Sequence, residues 1–162
     1  MHVLLIVQLL ALLVVANGTP IIVEKFLGKF LAFPIDGGAT FADGKPVFGS
    51  SKTLRGLALS LLATTIVAPL VGLPWRFGAL VALVAMLGDL LSSFLKRRMG
   101  LAPSDRAIGL DQIPESLLPV LASAFFLSLT LLDVVATTVI FFVGELALSR
   151  VLFKLHIRNR PY

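Results

Sequence analysis

The chain has 162 residues, 57% of them hydrophobic, with a net charge of +5 and no cysteine. A soluble domain is about 45–50% apolar by a similar count, and a chain this short cannot hide the excess within itself, so a bilayer must solvate it. The missing cysteines exclude disulfides and thiolate metal sites, and in such a chain positive charge reports membrane orientation and anionic headgroups before it reports nucleic acid.

A membrane span needs roughly 20 mostly apolar residues. The first candidate, 3–23, contains Gln8 and an Asn17-Gly18-Thr19-Pro20 interruption. It reads as a retained span rather than a signal peptide, because the residues before it carry no lysine or arginine. The second candidate, 57–73, runs into a tight turn at Gly72, Pro74 and Trp75, and the third, 77–95, carries Asp89. The fourth and fifth, 116–132 and 134–155, are divided by a turn that Asp133 marks, and the last carries Glu145. The pattern predicts an all-α polytopic membrane protein with about five transmembrane helices in one domain, 1–162, and two long loops, 24–56 and 96–115.

The basic residues fall in three clusters. Lys25, Lys29, Lys45, Lys52 and Arg55 lie in the first loop, and Lys96, Arg97, Arg98 and Arg106 in the second. Arg150, Lys154, Arg158 and Arg160 close the chain. With five spans, every one of the 14 basic residues except Arg76 faces one side. The positive-inside rule then predicts the N-terminus outside, the C-terminus cytoplasmic and both long loops cytoplasmic.

Topology does not call for acids, yet Glu24, Asp36, Asp43, Asp105, Asp111 and Glu115 share those loops with glycines and hydroxyls. Such a mixture suits a polyphosphate and its divalent metal: carboxylates hold Mg²⁺, lysine and arginine neutralise phosphate, and glycines let backbone N–H groups approach. Asp89 stands out, since an acid within a span costs about 2.5–3.5 kcal/mol on insertion scales. In "GDLLSSFLKRR" Asp89, Ser92, Ser93 and Lys96 occupy one helical face, with Arg97 alongside. An internal Asp89–Lys96 ion pair is the plainer alternative. Glu145 reads as structural, pairing with Arg150 or hydrogen-bonding a neighbouring helix, and Asn17 either glues helices or lines a site. His2 and His156 have no metal-ligand spacing and read as interfacial.

In the first loop, "DGKPVFGSSKTLRG" has Gly44 and Gly49 at P-loop spacing, but Lys52 and Thr53 arrive two residues late and no strand precedes them. In the second, Asp105 and Asp111 flank Gly109, and Asp111-Gln112 stands just ahead of Pro114-Glu115, a helix-start signal. Asp111 is there either to face Asp89 across two helices or, like Ser116, to cap the fourth helix.

"SSFLKRR" followed by "SDRAIGLDQ" resembles the signature of the CDP-diacylglycerol synthases, the phosphatidate cytidylyltransferases, at Ser93, Lys96, Arg97, Asp105 and Asp111. Ser104, Ala107-Ile108-Gly109 and Gln112 depart from that signature in the manner of the smaller archaeal branch, the CDP-archaeol synthases. The first loop from Pro34 to Gly56 is also similar to that branch, whose members have about five spans. The resemblance implies an Mg²⁺-dependent membrane enzyme joining CTP to an isoprenoid glycerol lipid phosphate at the cytoplasmic face of the cell membrane. On it, Asp89 and Asp111 hold Mg²⁺, and Lys52, Lys96 and Arg97 hold phosphates. Ser92, Ser93 and Thr53 give hydroxyl contacts, Asp43, Gly44 and Gly49 shape the loop, Arg55 pairs or binds phosphate, and Asp105, Asp36 and Gln112 are further substrate contacts. The rival readings are a CDP-alcohol phosphotransferase, whose D-x-x-D-G-x-x-A-R spacing does not occur here, a structural membrane subunit, which has no need of Asp89, and a small ion-coupled transporter using Asp89 and Glu145. The transporter leaves the loop acids, glycines and lysines unexplained.

Overall fold

The computed structural model describes residues 1–105 and 107–154, with only the backbone at 152. Arg106, His156, Arg158 and Arg160 therefore lie outside the described residues. Five α-helices follow one another: α1 Val3–Leu27, α2 Leu54–Leu70, α3 Trp75–Arg98, α4 Gln112–Ala124 and α5 Leu131–Lys154. In lipid every backbone amide needs an internal partner, so apolar runs of this length become helices. Three are long and apolar enough to cross a membrane: α1, α3 and α5 over Leu131–Val151. The second is apolar but has 17 residues, and α4 has only 13.

Local signals set the ends. Thr53 caps α2, its hydroxyl accepting from the Gly56 amide at 3.2 Å. Helix α2 closes in a Schellman motif: Leu73 N–H donates to the Ala68 carbonyl, Gly72 N–H to Pro69, and Gly72 takes φ +84°. The same motif ends α3, with Leu101 N–H on Lys96, Gly100 N–H on Arg97, and Gly100 at φ +79°.

Three boundaries depart from the sequence reading. Helix α1 runs unbroken through Asn17-Gly18-Thr19, with Pro20 inside it, because Asn17 and Thr19 turn their side chains back onto the Leu13 and Val15 carbonyls. Helix α4 lies earlier than 116–132, so the turn before α5 is 125–130 and Asp133 is not in it. An apolar run ends at its first polar residue, whereas the helix ends where packing bends the chain. Asp133 belongs to the first turn of α5, in a reciprocal capping box with Thr130. It also accepts hydrogen bonds from the backbone and ring of His2, both at 2.8 Å, which ties the start of α1 to the start of α5.

Helix α3 is the hub. A Cβ on Gly78 would collide with the Thr64 backbone of α2, and one on Gly88 with the Pro114 backbone at the start of α4. These are close helix crossings of the kind small residues permit in membranes. Leu9, Leu12, Leu13, Phe77, Val81, Val120 and Phe141 fill the core between α1, α3, α4 and α5. The outward positions are also apolar, among them Leu62, Ile66, Leu83, Leu87, Val135 and Val139, as a lipid-solvated surface requires. The alternating helices bring the loops 28–53 and 99–111 to one end of the bundle, away from the His2–Asp133 clamp.

Candidate active site

The first loop is organised by Asp36. Its carboxylate accepts the Phe48 N–H at 2.8 Å, the Gly49 N–H at 2.9 Å and the Gly38 N–H at 3.0 Å. Burial pushes the Asp36 pKa up, but these backbone donors outweigh it and hold the group below the usual aspartate value. Ile35 N–H donates to the Lys52 carbonyl and Leu54 N–H to Phe33, so the loop returns beside its own start. Arg98, at the end of α3, docks this loop. It bonds Asp43 at 2.6 Å and the Pro46 carbonyl, and its guanidinium lies 4.9 Å from the ring centres of Phe41 and Phe94. Gly49, at φ +93°, sits so close to Pro103 and Arg97 that a side chain would push both loops apart.

The docked loops enclose a cavity of about 940 Å³, bounded also by α1, α3, the start of α4 and Glu145 of α5. Two ion pairs face it. Lys52 Nζ lies 2.6 Å from both carboxylate oxygens of Asp89, and Lys96 Nζ lies 2.5 Å from Asp111 Oδ1. The expected Asp89–Lys96 alternative is therefore replaced by two pairs between elements. Burial works against the charge on Lys52, but Asp89 beside it, with Glu115 and Asp111 further off, outweighs burial and raises its pKa. Ser93, Thr53, Arg97, Asp105 and Gln112 also line the cavity.

Several expected contacts are engaged elsewhere. Ser92 is buried and donates to the Leu110 carbonyl at 2.6 Å, fastening α3 to the second loop. Lys96 also donates to the Asp105 carbonyl at 3.0 Å, and Arg97 to Ala102 at 2.9 Å. Asp105 accepts the Ala102 N–H, Asp111 the Ala107 N–H and Gln112 the Gly109 N–H, which closes the second loop on itself. Asp111 occupies the N-cap position of α4 without making a side-chain cap bond. Arg55 lines the cavity while its terminal nitrogens donate to the Gly28 and Phe30 carbonyls. Asp36, Asp43, Gly44, Gly49 and Ser92 are not among the residues lining the cavity; the first four build or dock the first loop. Residues read without a site role also line it, namely Lys25, Lys29, Ser50, Ser51 and Ser104, as do the loop acids Glu24 and Glu115, Asn17, and Glu145, which the sequence reads as structural. Glu145 faces Glu115 of α4 across the same cavity, so the neighbour that the packing brings to it is another acid.

The family model described as CarS-like, CDP-archaeol synthase, matches residues 75–162. A CDP-archaeol synthase of Sulfurisphaera tokodaii is 35% identical over 91% of this chain and 89% of its own length. This chain belongs to the CDP-archaeol synthase family. The family's relative in Pyrobaculum calidifontis is 30% identical over 97% of this chain and 98% of its own. A solved structure described as an intramembrane enzyme for archaeal membrane lipids biosynthesis is 26% identical, with a TM-score of 0.72 over 84% of this chain and 89% of that one. Membership makes the chain an integral membrane enzyme of archaeal lipid synthesis, a cytidylyltransferase, and leaves the ion-coupled carrier without support.

The donor set suits a hard divalent cation. Asp89 and Asp111 present carboxylate oxygens to one cavity, which the carboxyl groups of Glu115 and Glu145 also line. Among the described residues no three acids or histidines stand close enough to hold a metal by themselves. Mg²⁺ does not require that, because it keeps waters and takes one or two carboxylates plus substrate phosphates.

Proposed function

We propose that the enzyme transfers CMP from CTP to the phosphate of 2,3-bis-O-geranylgeranylglycerol 1-phosphate, giving a CDP-archaeol-type lipid and pyrophosphate. Residues 1–162 form one transmembrane catalytic domain, with the N-terminus outside and the site facing the cytoplasm. The observation that carries the reading is the opposition of two lysine–aspartate pairs, Lys52–Asp89 and Lys96–Asp111, across one cavity. The clustering of Lys25, Lys29, Lys52, Lys96 and Arg97 at the cavity end supports the orientation.

The reaction needs an oxygen of the lipid phosphate to attack the α-phosphorus of CTP. That P–O bond forms as the α–β bridging bond breaks, and the electron pair leaves on pyrophosphate. The nucleophile is already an anion, so positioning and charge neutralisation do the catalysis. Lys52 and Lys96 exchange an aspartate for a phosphate oxygen when the triphosphate enters, with Arg97 beside them. The exchange frees Asp89 and Asp111, the residues that would hold Mg²⁺. That ion, when bound, supplies neutralisation of the phosphate oxygens and alignment of the α-phosphate. Ser93 and Thr53 contribute hydroxyls from the cavity lining, and Asp105 and Gln112 hold the second loop in shape.

The test is incubation of purified protein with radiolabelled CTP, Mg²⁺ and lipid phosphates of ether, ester, saturated and unsaturated types. Labelled lipid and pyrophosphate are expected, with product lost in EDTA. No labelled lipid from any of these phosphates refutes the reading.

A further inference from the structure

The cavity wall contributed by the end of α1 has two unlike faces. Lys25, Gly28, Lys29, Ala32 and Ile35 line the cavity. From the same short stretch Phe26, Phe30 and Phe33 turn outward, 82%, 66% and 63% exposed. Aromatic rings of this kind settle at the boundary between lipid and water, while lysine stems cross apolar surface to keep their charge in water.

The stretch is also held in an unfavourable backbone. Gly28 takes φ +50° freely, whereas Leu31 takes φ +52°, the left-handed region that a leucine side chain disfavours. Such a conformation persists only where its surroundings impose it. Arg55, from the first turn of α2, donates to the carbonyls of Gly28 and Phe30 and so fixes the bend. The result is a braced elbow with aromatic rings on its outer surface and lysines on its cavity side.

The cations deeper in the cavity have partners: Lys52 has Asp89, and Lys96 has Asp111. The Lys29 ammonium has no polar partner among the described residues, and the nearby acid of the same wall is Glu24. A reaction between a soluble triphosphate and a membrane-borne phosphate needs two anion subsites, one of which must border the lipid.

We infer that Lys29, with Lys25 beside it and Arg55 as the positioning residue that holds the elbow, is the subsite for the phosphate of the lipid substrate. It is separate from the Lys52–Lys96–Arg97 subsite for the triphosphate. The inference rests on the cytidylyltransferase reading above. A phosphate monoester carries a charge of about −1.5 to −2 near neutrality, which two lysines match, while its chains remain in the bilayer beyond the phenylalanines.

The test uses the full-length protein in vesicles of neutral phosphatidylcholine, with the mole fraction of lipid phosphate varied at saturating CTP and then CTP varied at saturating lipid. Lys29→Gln raises KM for the lipid phosphate about tenfold, the value of one charge-assisted contact, and leaves KM for CTP within about twofold. Lys29→Arg restores most of the loss, and Lys25→Gln added to Lys29→Gln deepens it. Arg55→Gln raises the lipid KM without moving the CTP KM. An unchanged lipid KM in Lys29→Gln, or equal rises in both KM values, overturns the assignment. So does an effect that vanishes when phosphatidylglycerol is added at fixed mole fraction, because the lysines then attract any anionic surface. The unchanged CTP KM reports that the variants are folded. Wild-type protein with no transfer to any lipid phosphate defeats the parent reading itself, an outcome distinct from the variant results.

Discussion

Replacing Asp89 with asparagine removes one charge and almost no volume. In the structure that charge lies 2.6 Å from Lys52, and both side chains are partly exposed, at 23% and 22%. Breaking a fully buried pair by removing one partner costs about 3–5 kcal/mol, and an exposed pair is worth about 0–1 kcal/mol. The intermediate exposure puts Asp89→Asn at about 1–2 kcal/mol of stability. Much of that is the cost of leaving Lys52 uncompensated, so adding Lys52→Met recovers part of it. Turnover behaves differently. If Asp89 receives Mg²⁺ once Lys52 has moved to phosphate, its loss removes a preorganised electrostatic partner, a change that lowers kcat about 10²–10³-fold in comparable sites. The assay pairs thermal unfolding in detergent with single-turnover transfer of labelled CMP. A melting shift of a few degrees with a collapse of kcat is expected. A well-folded Asp89→Asn variant with wild-type turnover would refute the metal assignment.

Gly88→Ala drives a methyl group into the Pro114 and Glu115 backbone and is expected to cost about 1–3 kcal/mol as overpacking, seen as a lower melting temperature. Gly144→Ala, with no atom within 4 Å of the added Cβ, is expected instead to gain about 0.5–1 kcal/mol from helix propensity alone, and melting at or above wild type checks it. Asp36 has a lowered folded pKa, so the stability it supplies is complete above its ordinary value of 3.8 and is lost as pH falls through the lower folded value. Protection of the amides of residues 36–49, measured against their intrinsic exchange rates, is therefore expected to fall below about pH 4 in the wild type, and Asp36→Asn is expected to lose it at neutral pH as well.

Much of the site was legible as residue types. The helical spacing put Asp89, Ser93, Lys96 and Arg97 together, and all four line the cavity. The partners were not legible. Seven residues along a helix span about 10 Å, so Asp89 and Lys96 share a face without touching, and each finds its counterion on another element. Arg55 and Arg98 read as phosphate ligand and topological charge, yet both hold loops, because the terminal nitrogens of each guanidinium fork meet backbone carbonyls that the fold brings to them. Glu145 looked solitary because its partner, Glu115, is thirty residues away in the chain and adjacent only through packing.

The sequence by itself determined that the chain lives in a membrane as a bundle of helices and that its chemistry concerns phosphate. Composition and periodicity act locally, and they are enough for that. Only the tertiary structure decided which charges neutralise one another, which glycines are needed for close approach, and how "DGKPVFGSSKTLRG" works. Its Asp43 is taken by Arg98 and its Gly49 packs under Arg97, while its Lys52 reaches across to Asp89. Those outcomes depend on distances between elements far apart in the chain, which helix packing alone fixes.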